Sequence, residues 1–238
     1  MKAYNVFSIC GLLTLVAYPS CNNDDETDKP VVYLSCPDNN HPHMIDLGLP
    51  SGTMWACCNV DATAPEKFGG HYAWGETNEK ADYRAESYQY CTGQDNNGDG
   101  RYDEEPQFQH IGDDIAGSEY DVAHVKWGKS WRMPTLDQII ELVDKCSWKW
   151  TSQNDVNGIA VSGKNGGSIF LPAADCRRND IPTHEDLCGY YWSSTLINFD
   201  EYDANYLIFD SQSWAYRHYA RTYRYFGYSV RPVCQTNR

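Results

Sequence analysis

Positive charge is scarce in this chain: 19 Lys and Arg stand against 33 Asp and Glu over 238 residues, a formal net charge of -14. A surface of that sign repels a phosphate backbone, which argues against nucleic acid and favours calcium or a cationic partner. Long apolar runs are also lacking. The longest, Val6 to Ala17, falls short of the roughly 20 residues a bilayer span requires. Catalytic sets are sparse. His184, Glu185 and Asp186 adjoin in one polar segment, but polar neighbours in a loop do not by themselves make an acid–base pair. The cluster Gly163–Gly167 is no phosphate loop, because Asn165 follows Gly163-Lys164 where Ser or Thr is required. His41 and His43 flank Pro42 with no further ligand in register, so no zinc site is expected there. These absences point to a non-catalytic protein.

What is present begins with an export signal. Lys2 precedes the apolar run, and Ser20 precedes Cys21, an order that fits the basic and apolar regions of a secretory leader and resembles a bacterial lipoprotein signal. On that resemblance residues 1–20 are removed and Cys21 is lipidated. The acidic stretch Asn22 to Asp28 cannot bury apolar area and reads as a disordered tether over residues 21–42, ahead of one domain over 43–238. Acidic residues after the lipidated cysteine resemble the surface-export signal of Bacteroidota lipoproteins, implying an outer-membrane lipoprotein exposed at the cell surface. Apart from Cys10 and Cys21, eight cysteines remain. In an exported chain they permit disulfides, in any of 105 pairings. Adjacent Cys57 and Cys58 would point to opposite faces if they lay on a strand.

Local patterning predicts an α+β domain. Met44–Leu49 and Thr53–Val60 read as strands about the turn Pro50-Ser51-Gly52. Thr135 with Gln138 forms a capping-box pattern, and Leu136, Ile139, Ile140, Leu142 and Val143 share one face, predicting a helix to about Lys145. Trp148 and Trp150 alternate as on a strand, and a glycine-rich turn joins strands at 159–162 and 168–171. Asn78 to Lys126 is polar and irregular. Within it Asp95, Asn97, Asp99, Arg101 (through its carbonyl) and Asp103 occupy the alternating places of an EF-hand-type calcium loop. Its twelfth place is Pro106, which offers no carboxylate, so a calcium loop and a solvated Asn/Asp/Gly turn both remain open.

Half of the 18 tyrosines lie between Tyr190 and Tyr228. Strands are expected at 190–194, 205–209, 214–219 and 228–233. Trp214, Tyr216, Arg217, His218, Tyr219, Arg221, Tyr223 and Arg224 form a candidate ligand-binding cluster, since arginine beside aromatic rings suits carboxylate, sugar or protein epitopes. Trp55, Trp131, Tyr191 and Trp192 read as core.

Six blocks in order, Met44–Ala56, Tyr72–Thr77, Trp131–Thr135, Ser168–Ala174, Tyr190–Thr195 and Ser229–Val233, resemble the Fibrobacter succinogenes major paralogous domain family. The resemblance implies a C-type lectin-like fold, α+β with small antiparallel sheets, about two helices and long loops. The Trp-Arg-Met-Pro-Thr block and Val-Arg-Pro ending are also similar to formylglycine-generating enzymes, but the copper-binding cysteine pair of those enzymes has no counterpart here. The resemblance places the binding face in the C-terminal loops, Leu196 to Arg224, which in some such proteins are rewritten by diversity-generating retroelements. The expected function is binding of a protein or glycan at the cell surface. The alternative is a structural subunit of a surface or fimbria-like assembly.

Overall fold

The computed structural model describes residues 32–92, 107–128, 130–178, 187–197, 200–211 and 218–235. In chain order the elements are β1 (Val32–Tyr33), β2 (Met44–Asp46), β3 (Thr53–Ala56), β4 (Cys91–Thr92), β5 (Gln107–Phe108), α1 (Val122–Trp127) and α2 (Leu136–Lys145). Then follow β6 (Ser147–Gln153), β7 (Val156–Ser162), β8 (Ser168–Pro172), β9 (Cys188–Ile197), β10 (Asp200–Asp210), β11 (His218–Tyr223) and β12 (Val233–Gln235). The architecture is the expected α+β, with four small sheets ordered β1-β2-β3-β12, β4-β5, β6-β7-β8 and β11-β10-β9. All strand pairs are antiparallel except β1 with β2.

The first sheet joins the two ends of the domain. Met54 lies between Asp46 on one side and Cys234 on the other. The turn before β3 is closed by the Gly52 amide donating to the Leu49 carbonyl at 2.9 Å, with Gly52 at φ 72°, a conformation that favours glycine. Helix α2 begins as its sequence predicts: Thr135 Oγ1 accepts from the Gln138 amide at 3.3 Å, and Gln138 Oε1 accepts from the Thr135 amide at 3.0 Å. Ile139 and Leu142 are its fully buried face. Asn154 and Asp155, both at positive φ, turn β6 into β7, the backbone of a two-residue hairpin loop.

Helix α1 falls within the stretch that its polarity marks as irregular. Asp121 explains it: the carboxylate accepts from the amides of Ala123 and His124, and also from Gly117 and Met133. One buried side chain thus caps the helix and ties down the loop before it and the Trp131–Thr135 block after it. Six residues with only Val122 and Ala123 buried are too few to show a period.

Two hydrophobic clusters lie on opposite sides of the β9–β11 sheet. Tyr191, Leu207 and Phe209 join Trp55, Leu142 and Trp148 in one, and Trp192, Leu196, Ala204 and Tyr206 join Trp74, Tyr228 and Val230 in the other. The anticipated core tryptophans are buried, Trp55 at 1%, Trp131 at 6% and Trp192 at 0% exposure.

Two expectations are corrected here. No disulfide joins the described cysteines: Cys36, Cys57, Cys58, Cys91, Cys146, Cys176, Cys188 and Cys234 are free thiols in this structure. Cys146, Cys176 and Cys234 are buried in three different clusters, where each packs as a small apolar side chain. Cys57 and Cys58 do not alternate between faces either, because β3 stops at Ala56 and both are buried. The domain also reaches further toward the N-terminus than residue 43. Strand β1 pairs with β2, and the Leu34 carbonyl accepts from the Ser168 amide of β8 at 2.9 Å.

Candidate functional site

Strand β11, the edge of its sheet among the described strands, carries the described part of the anticipated binding cluster. Trp214, Tyr216 and Arg217 lie outside the described residues, as do the side chains of His218 and Tyr219. Arg221 and Tyr223 are exposed and two residues apart, hence on one face of β11. Arg221 pairs with Asn205 and Tyr223 with Asp203. Tyr223 is 48% exposed, the tip of a ladder of rings that runs into the core. It stacks on Tyr225 with centroids 5.2 Å apart and planes 10° apart, Tyr225 meets Phe226 edge-on at 4.8 Å, and Tyr228 stacks on Trp192 at 4.4 Å. Arg178 lies over Phe226 at 4.6 Å and donates to the Tyr228 hydroxyl at 2.8 Å. Burial pushes the Tyr228 phenol well above its ordinary pKa, so it stays a neutral acceptor for that guanidinium. The exposed ring is therefore held by a stack that has little freedom to move.

Arg224 corrects the cluster. It is 0% exposed, and its Nε donates to the Tyr88 hydroxyl at 2.9 Å while Nη1 donates to the carbonyls of Gln109 and Glu201 at 3.0 Å each. Its guanidinium also lies over Trp74 at 4.8 Å and Tyr88 at 5.3 Å. β11 ends at Tyr223, and the chain then turns Arg224 inward to hold the β4–β5 region against β10. The flanking Tyr223 and Tyr225 do not signal this, since arginine stacks on aromatic rings at exposed and at desolvated sites alike.

Beside the first residues of α2 an open cleft of about 550 Å³ is lined by Asp114, Thr135, Asp137, Thr195, Ile197 and Asn205, among others. Asn205 Nδ2 is committed to the carbonyls of Thr195 and Leu196. Its register partner Arg221 projects on the same side of the sheet, so the cleft and the β11 face adjoin. Carboxylates, hydroxyls and a guanidinium around a shallow polar cleft can hydrogen-bond a polyhydroxylated or peptide ligand.

The blocks that carry the family resemblance serve the scaffold. Trp74 Nε1 donates to the Ser193 carbonyl at 2.9 Å, and Trp192 Nε1 donates to the Tyr72 carbonyl at 2.7 Å. Arg132 exchanges backbone hydrogen bonds with Val233, and Arg231 reaches the Phe170 carbonyl at 2.8 Å. Each block is thereby held by another.

The anticipated calcium loop at Asp95, Asn97, Asp99, Arg101 and Asp103, the segment His184–Asp186, and Cys21 lie outside the described residues. A different set of potential metal ligands is within them: Cys36, His41, His43 and Cys57 converge. Sequence reading finds only the two histidines, because Cys36 belongs to the presumed tether and Cys57 lies 14 residues beyond His43. The Cys57 thiol is pulled below its ordinary value, chiefly by a hydrogen bond from Cys58 and, against the opposing effect of burial, by the His43 amide and both imidazoles. No helix among the described residues is long and apolar enough to cross a membrane. Comparison of the chain with protein-family models, curated proteins and solved structures found no match.

Proposed function

We propose that this protein is a non-catalytic, surface-exposed lipoprotein, anchored through Cys21, whose C-terminal aromatic face binds a protein or glycan. The reading takes the domain as C-type lectin-like and akin to the major paralogous family, on the strength of the six sequence blocks and the sheet that joins the two ends of the domain. The observation that carries it is Tyr223, a half-exposed ring braced by a ladder rooted at Trp192 and set two residues from exposed Arg221. A rigid aromatic ring beside a guanidinium gives large contact area at low entropic cost, the composition favoured at binding hot spots. The 95–103 loop is a second candidate feature, as a calcium site. Calcium titration of the purified chain by calorimetry checks it.

The test is binding to a glycan array and a panel of surface proteins, comparing the native chain with Arg221→Ala and Tyr223→Ala. Loss of a specific ligand in both variants with an unchanged circular-dichroism spectrum supports the reading. Retention of every ligand by both sinks it. A reverse-transcriptase gene beside a near-copy of the 3′ end of the coding sequence would add retroelement diversification of this face.

A second reading, a subunit of a surface assembly, draws on β11 ending its sheet among the described strands. An edge strand offers backbone groups to a neighbouring copy. Concentration-dependent polymerisation of the purified chain would favour it.

A further inference from the structure

The cluster at the N-terminal edge of the domain has the shape of a closed metal centre. The four ligand atoms, Cys36 Sγ, His41 Nδ1, His43 Nδ1 and Cys57 Sγ, all lie within 4.8 Å of one another. The four sulfur–nitrogen separations are 3.4 Å for Cys36 to His41, 3.4 Å for Cys36 to His43, 3.3 Å for Cys57 to His41 and 3.6 Å for Cys57 to His43. Zinc–sulfur bonds of about 2.3 Å and zinc–nitrogen bonds of about 2.0–2.1 Å at the tetrahedral angle place sulfur about 3.6 Å from nitrogen. The observed edges are those of such a tetrahedron to within about 0.3 Å.

Hydrogen bonding alone does not account for this arrangement. A ring nitrogen has one in-plane position, a lone pair or a hydrogen, and so makes one well-aligned hydrogen bond. Each Nδ1 here faces two sulfurs, so two of the four contacts are left without a hydrogen. The Cys36 thiol is also within 3.3 Å of the Asp38 carbonyl, and one hydrogen cannot serve three acceptors. A cation at the centre engages one lone pair from each of the four atoms and satisfies all four contacts together.

The surroundings agree. His43 Nε2 lies 3.1 Å from Asp38 Oδ1, which sets Nε2 as the protonated nitrogen and leaves the Nδ1 lone pair aimed at the cluster, the carboxylate–histidine relay common behind zinc ligands. The His43 amide donates to Cys57 Sγ at 3.1 Å, a bond that favours a thiolate. Tyr33 meets the His43 ring edge-on at 5.2 Å and fixes its orientation. Cys57 and His43 are buried while Cys36 and His41 are partly exposed, so an ion can enter from the solvent side, beside a cavity of about 290 Å³ that Cys36 and Cys57 help to line.

We propose that Cys36, His41, His43 and Cys57 form a structural zinc site that clamps the N-terminal arm of the domain to the end of β3. Four protein ligands leave no open position, which suits a structural rather than a catalytic ion. Two thiolates with two imidazoles in tetrahedral order select zinc over calcium or magnesium, which prefer oxygen. The clamp answers a structural need, because β1 is two residues long and, among the described strands, pairs only with β2. The inference does not depend on the binding-face reading.

The experiment uses the full chain, purified without chelator, with zinc measured by plasma mass spectrometry and cobalt(II) titrated into the chelator-stripped protein. One zinc per chain is expected, together with a cobalt spectrum that shows thiolate charge transfer and the intense visible bands of tetrahedral coordination. Cys36→Ser and Cys57→Ser should each lose stoichiometric zinc and weaken the charge-transfer band, while Cys188→Ser keeps both. Should those ligand variants fail to fold, Asp38→Asn decides: Asp38 is 52% exposed, and its amide variant should fold and bind cobalt roughly 10–100-fold more weakly. Zinc far below one per chain, a cobalt spectrum without the thiolate band, an unchanged affinity in Asp38→Asn, or a Cys36–Cys57 disulfide in the non-reduced peptide map would each overturn the proposal.

Discussion

Arg231 Nε donates to Asn59 Oδ1 at 2.8 Å, joining residues 172 apart in the chain. The same guanidinium donates to the carbonyls of Ala56 and Phe170, at 3.0 and 2.8 Å. One fully buried side chain therefore ties β12's approach to the end of β3 and to β8. Its charge is met by neutral acceptors placed around a planar fork, a geometry lysine cannot reproduce. Arg231→Lys and Asn59→Ala are each expected to cost roughly 2–4 kcal/mol, since a buried hydrogen bond to a charged group is lost and its partner is left unsatisfied. Urea denaturation of the two variants checks this.

Arg224 and Arg221 should separate cleanly. Arg224→Ala removes three hydrogen bonds from a buried site and is expected to lower stability by about 3 kcal/mol. Arg221→Ala on the exposed edge should stay within about 0.5 kcal/mol of the native chain while losing ligand. Equal destabilisation by both would place Arg221 in the scaffold.

His71 predicts a pH dependence. Its ring is 3% exposed and its Nε2 donates to the Ala174 carbonyl at 2.9 Å. Burial, and then the neighbouring charge of Arg177, hold its pKa below the ordinary 6.5. A depressed folded-state value means the unfolded chain binds the proton more readily. The stabilisation is therefore complete above about pH 6.5 and is lost as pH falls through the folded value. His71→Gln, compared with the native chain by thermal unfolding between about pH 5 and 7, should flatten the slope. An unchanged slope would assign the dependence to another group.

Gly163 packs where a side chain does not fit. A Cβ there would lie 1.8 Å from the Leu47 carbonyl oxygen, because the β7–β8 turn sits directly on the chain after β2. Gly163→Ala should push the hairpin away at a cost of about 3 kcal/mol. Exposed Lys164, its neighbour in the same turn, should accept alanine within about 0.5 kcal/mol. Chemical denaturation of both gives the comparison.

Much of the fold was legible because its signals are local. The Thr135–Gln138 box, the Pro50-Ser51-Gly52 turn and the glycine-rich β7–β8 turn act within a few residues, and the structure places those elements where the pattern predicts them. Helix α1 was not legible, since it rests on Asp121 accepting from amides on both sides of the helix. Arg224 was misassigned because exposed and buried arginines look alike among tyrosines until the end of β11 sets which way residue 224 faces. The Cys–His cluster escaped because its members are split between an arm that composition assigns to a tether and the end of a strand.

The sequence by itself determined the α+β class, the helix over 136–145, the hairpin turns and the residue types available for binding, because propensity, capping and periodicity are properties of neighbouring residues. Only the tertiary structure decided which arginine lies inside, which thiols stay apart, and that Cys36 and Cys57 meet His41 and His43. Burial and ligand geometry depend on which distant segments the sheets bring together, and strand pairing across about 180 residues is written in no single stretch of chain.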